Sequence, residues 1–71
     1  MRMPRRMGKM FLVVARDGSR QMVKRIGAST EARAREWMAE FVAELPHGTV
    51  TIDVADPHGM PTQRITTAWV N

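Results

Sequence analysis

The chain has 71 residues, an apolar share of 44%, no cysteine and a formal net charge of +4. That length allows one small domain, which hides only about 60% of its unfolded surface and gains from pairing with itself or a partner. The missing cysteines exclude a disulfide framework and a thiolate zinc site, and the apolar share excludes a disordered tail.

The charge is uneven along the chain. Residues 1–25 carry eight Lys or Arg against the single Asp17, a net of +7, whereas the remainder holds three basic and six acidic residues, a net of −3. Such a dipolar molecule orients towards a polyanion or an acidic protein surface. The first eight residues, with Arg2, Arg5 and Arg6, read as a basic arm in front of a domain over residues 9–71. Met3, Met7 and Met10 are alternative starts, and a solubilising tail is the plain alternative to a functional arm. The apolar run after Lys9 is cut short by Arg16 and Asp17, too early for a secretory signal, and no segment reaches the roughly 20 apolar residues of a membrane span. The expectation is a soluble cytoplasmic protein.

Residues 9–26 read as a β-hairpin. The run KMFLVVA is rich in strand formers, and Asp17-Gly18 suits a tight two-residue turn, which sets Leu12 opposite Val23 and Val13 opposite Met22. Alternation then gives one face with Met10, Leu12, Val14, Val23, Gln21 and Arg25, and another with Phe11, Val13, Ala15, Met22, Arg20 and Lys24. A helix is expected from about Thr30 to Leu45, capped by Ser29 or Thr30, stopped by Pro46 and Gly48, and apolar along Ala34, Trp37, Met38, Phe41, Val42 and Leu45. Glu36, Glu40 and Glu44 form an acidic stripe read as a solvated face.

In TVTIDVAD, Val50, Ile52 and Val54 alternate with Thr49, Thr51 and Asp53, as in a strand with one wet side. PHGMP is a loop, and QRITTAWV is a final strand in which Trp69 packs in the core or meets a partner. The expected fold is α+β: ββαββ, a four-stranded antiparallel sheet with one helix packed on one face.

No motif names a reaction. His47 and His58 lie in turns without a metal-ligand spacing, Ser19 and Ser29 are explained by turn and cap chemistry, and the five glycines are scattered rather than gathered into a phosphate loop. The chain therefore reads as non-enzymatic, with neither metal nor cofactor. With the helix laid over Leu12, Val14 and Val23, the open face would present Phe11, Val13 and Met22 beside Arg20 and Lys24. Arg5 and Arg6 of the arm would extend this apolar patch with a basic rim. The occupant would be a partner protein, DNA, or a second copy in a homodimer.

The stretch from Phe11 to Asp56, FLVV…MVKRIG…STEARAREWMAEF…VTIDVAD, resembles small bacterial ββαββ domains with a VV…VK…G…T…EA pattern. The order of elements, the strand entry His47-Gly48-Thr49-Val50 and the terminal Trp69-Val70 also resemble small phage- and prophage-encoded anti-CRISPR proteins that inhibit type I Cascade complexes. The resemblance implies a stoichiometric inhibitor that occupies a DNA-binding groove of that bacterial complex. The loop DPHGMPTQR departs from the shorter turn of that family. The alternative is a β-sheet DNA-binding protein whose hairpin enters the major groove while the arginine arm follows the phosphates.

Overall fold

The computed structural model describes residues 10–71. Strand β1 (Met10–Arg16) pairs with β2 (Met22–Ala28); helix α1 (Glu31–Glu44) follows, then β3 (Gly48–Ala55) and β4 (Pro61–Val70). The four strands form one antiparallel sheet in the order β2-β1-β3-β4, so the fold is α+β with element order ββαββ. Because β2 and β3 flank β1, α1 carries the chain across one face of β1. The arm over residues 1–8, with Arg5 and Arg6, lies outside the described residues. No helix among the described residues is long and apolar enough to cross a membrane.

The first hairpin does not close through a two-residue turn. The Asp17 carboxylate accepts from the amides of Ser19 at 2.8 Å and Gln21 at 3.0 Å, while its own amide donates to the Gln21 carbonyl. A five-residue turn results, and it moves the register by four residues: Leu12 sits opposite Gly27 and Val13 opposite Ile26. An even shift keeps Lys24 on the Val13 side and Arg25 on the Leu12 side. A bulge between Ala15 and Arg16 then pairs Arg16 with Met22, which carries Met22 to the opposite face from the one expected.

Helix α1 starts at Thr30, whose hydroxyl accepts from the Arg33 amide at 3.1 Å, with Glu31 in the first turn. Its exposed side is tied by Arg35–Glu31 and Arg33–Glu36 pairs at 2.8 and 2.6 Å. The apolar stripe lies on the side of the sheet that holds Phe11, Val13 and Ala15. The core there is Val13, Val50 and Ile52, all fully buried, with Ala34 and Phe41 from the helix and Trp37, Met38 and Ile65 around them.

The expectation that α1 covers Leu12, Val14 and Val23 is thus corrected. β1 pairs with β3 so that Phe11, Val13 and Ala15 face Val54, Ile52 and Val50, making one continuous apolar surface. The other face opposes Leu12 and Val14 with Asp53 and Thr51. An apolar helix stripe removes more hydrocarbon from water on the first face, and at roughly 25 cal/mol per Å² that difference decides the side.

Candidate functional site

With the helix on one side, no other helix or strand among the described residues covers the opposite face of the sheet. Its floor is nevertheless buried: Leu12, Val14, Thr51, Asp53 and Ala55 are all at most 8% exposed. Part of the cover comes from the β3–β4 hairpin. Register shifts between Ile52 and Asp53 and between Val54 and Ala55 bend this hairpin, and the Thr62 hydroxyl caps the Val54 carbonyl at 3.1 Å where the ladder is irregular. Its tip approaches the far edge strand closely enough that a methyl group at Gly59 would lie 4.0 Å from Arg25 Nη2.

The result is a concavity of about 460 Å³ with Leu12 and Val14 at its base. Arg16, Met22 and Arg25 form one wall, and Pro61, Gln63 and Arg64 the other. Asp53, with a side chain only 10% exposed, bonds to the Arg64 guanidinium, which is itself 55% exposed. Three arginines therefore line one concavity with a single carboxylate, which is already paired with one of them. The outer side of α1 has the opposite balance, with Glu31, Glu36, Glu40 and Glu44 against Arg33 and Arg35, and Lys24 reaching up from the sheet to Glu44. Positive charge on the open face and negative charge on the helix give the folded domain a polarity across the sheet.

A second concavity of about 540 Å³ adjoins the first at the end of the strands. Arg16 lines both, and Asp17, Arg20, His47, Thr49 and Trp69 are among the other residues of the second. Met22, Arg16, Thr49 and Trp69 fall in one row across the sheet by strand pairing, on the open face. Trp69 is 81% exposed, so it is not part of the core. Gly48 is required here: at φ 135 a methyl group would overlap the Arg16 carbonyl oxygen, only 2.0 Å away.

The patch expected from the sequence is not one surface. Val13 is fully buried under the helix and has no surface to offer a partner, and Phe11 is half-buried against the same core. Lys24 is exposed on the helix side, where its ammonium pairs with Glu44 and lies 5.5 Å over the Phe41 ring. Arg20 is exposed in the β1–β2 turn, and Met22, 55% exposed, belongs to the open face. The residues that do gather, Arg16, Arg25, Arg64 and Trp69, were legible in part. Once the all-apolar side of β3 is matched to Phe11, Val13 and Ala15, the face of Leu12, Val14 and Arg16 must be the open one. Nothing in the local sequence brings Arg64 to that face beside Arg25. Comparison with protein-family models, with curated proteins and with solved structures finds no match for the chain.

Proposed function

We propose that the chain is a non-enzymatic binding module of the bacterial cytoplasm that docks nucleic acid on the open face of its sheet. The observation that carries this reading is the gathering of Arg16, Arg25 and Arg64 around one concave surface that holds the single carboxylate Asp53, with the four glutamates of the helix on the opposite side. Guanidinium groups bind phosphate through paired N–H donors, and a polar field orients the approach of a polyanion.

Labelled oligonucleotides titrated with the protein and followed by anisotropy test the reading. Each phosphate neutralised lowers affinity with salt by a log–log slope of about 0.7 to 0.9, so three arginines give a slope of about −2 to −3. The double variant Arg16→Glu, Arg25→Glu is expected to bind at least tenfold more weakly and to show a shallower slope. Unchanged affinity in that variant would remove the open face from consideration.

A second reading keeps the resemblance to anti-CRISPR proteins: an inhibitor that blocks DNA binding by a type I Cascade. It is favoured by Met22 and Trp69, exposed at the two ends of one sheet row beside Arg16, because Met, Trp and Arg are enriched at protein interfaces. The same titration repeated with guide-loaded Cascade and its target duplex separates the two. Loss of Cascade's DNA binding with no binding by the small protein itself supports the inhibitor; direct, salt-sensitive binding supports the nucleic-acid module.

A further inference from the structure

We infer that the ligand of the open face is single-stranded nucleic acid rather than duplex, and that Trp69 is the platform on which one of its bases stacks. This rests on the nucleic-acid reading above and narrows its substrate class.

Shape is the first reason. Reading a duplex through its major groove needs an element that projects into a groove about 12 Å wide. Here the β3–β4 hairpin bends back towards β2 and the floor at Leu12 and Val14 lies beneath both walls, so the basic surface is a recess. A duplex would meet only the rim of such a recess. An unpaired strand can lower a base into it, and about 460 Å³ falls within the size range of small-ligand sites.

The chemistry of the lining is the second reason. A nucleobase has an apolar face and a polar edge. The recess offers the matching pair, the exposed apolar groups of Met22 and Pro61 beside arginines that can bond to phosphate or lie against a base plane. In a duplex the base faces are stacked on one another and meet neither group.

Trp69 supplies the third reason. It is 81% exposed in a chain of 71 residues with only two tryptophans, a poor use of apolar area unless something covers it. Its place is specific: it stands on the open face in the row of Arg16 and Thr49, and Arg16 lines both the recess and the concavity holding Trp69. Arg25, Arg16 and Trp69 thus mark out a track along the open face, with cationic groups for the backbone and an aromatic group at its end. That combination is what sequence-tolerant single-strand binding requires.

The test uses the full chain with fluorescein-labelled 12-nucleotide DNA and RNA strands and the corresponding duplexes, in low salt and at about 200 mM salt. Both single strands are expected to bind at least tenfold more tightly than the duplexes. Loss of one stacking contact in Trp69→Leu should weaken strand binding by about 5- to 100-fold, with Trp69→Phe retaining most of it. Unlabelled strands should quench tryptophan emission in the wild type and not in Trp69→Leu, where only Trp37, beside Arg33 on the helix, still emits. Because Trp69 is so exposed, the variant should keep the wild-type thermal melt. Duplex binding as tight as strand binding, or full affinity in Trp69→Leu, overturns this inference. If Arg16→Glu, Arg25→Glu still loses binding in that case, the nucleic-acid reading survives it. Absence of binding to every oligonucleotide overturns both.

Discussion

Arg20 occupies a backbone conformation that a side chain disfavours. Its φ is 70, in the left-handed region, and the reason is the turn: Asp17 caps the amides of Ser19 and Gln21, and the residue before Gln21 must turn left to return the chain to the sheet. The β3–β4 turn repeats the arrangement with Asp56, whose carboxylate accepts from His58 and Met60 at 2.9 Å, but there the left-handed position holds Gly59. The two turns are the same device with glycine at one site and arginine at the other. Left-handed backbone costs a substituted residue about 1–2 kcal/mol, partly offset by the greater freedom of unfolded glycine. Arg20→Gly is therefore expected to raise unfolding free energy by about 0.5–1 kcal/mol, seen as a higher urea midpoint at unchanged slope. Aspartate at the head of each turn was legible in the sequence. The five-residue form was not, because Asp17-Gly18 equally suits a two-residue turn and only the hydrogen bonds of the folded hairpin distinguish them.

Helix α1 illustrates what local pattern can and cannot fix. Thr30 at its start, Pro46 beyond its end and the stripe from Ala34 to Leu45 give its span from the sequence to within a residue at each end. Thr30→Ala removes the one side-chain acceptor for the amides of the first turn and is expected to lower stability by about 1 kcal/mol in the same denaturation experiment, while nucleic-acid affinity stays unchanged. The stripe also shows that the helix must lie on a sheet. It does not show on which side, since both faces of the β1–β2 hairpin are half apolar. β3 breaks the tie, because its wet side, Thr49, Thr51 and Asp53, pairs with the face of Leu12, Val14 and Arg16.

At the scale of the whole molecule, the sheet separates two kinds of charge. Arg16, Arg25 and Arg64 stand on one side, and Lys24, among the acidic residues of the helix, on the other. If binding depends on where charge sits rather than on how much there is, a charge-matched control should show it. Lys24→Glu changes the net charge as much as Arg16→Glu does, yet it alters the helix side and sets a carboxylate beside Glu44. The expected outcome is a modest loss of stability, within the roughly 0–1 kcal/mol of an exposed ion pair, and an oligonucleotide affinity within about threefold of wild type. Arg16→Glu alone should exceed that loss of affinity several-fold, with both measured by anisotropy at one salt concentration.

The sequence by itself determined the order of elements, the capped and striped helix, the alternation of β3 and the lack of cysteine chemistry, because each is written in neighbours a few residues apart. Tertiary structure decided the rest. Alternation assigns a strand two faces without saying which faces the core, and that choice waits on pairing with a strand whose residues lie 33 to 45 positions away. Val13 and Phe11 consequently went inward, Trp69 outward, and Arg64 came to lie across a recess from Arg25. The candidate site is made of residues from all four strands, and no local pattern holds it.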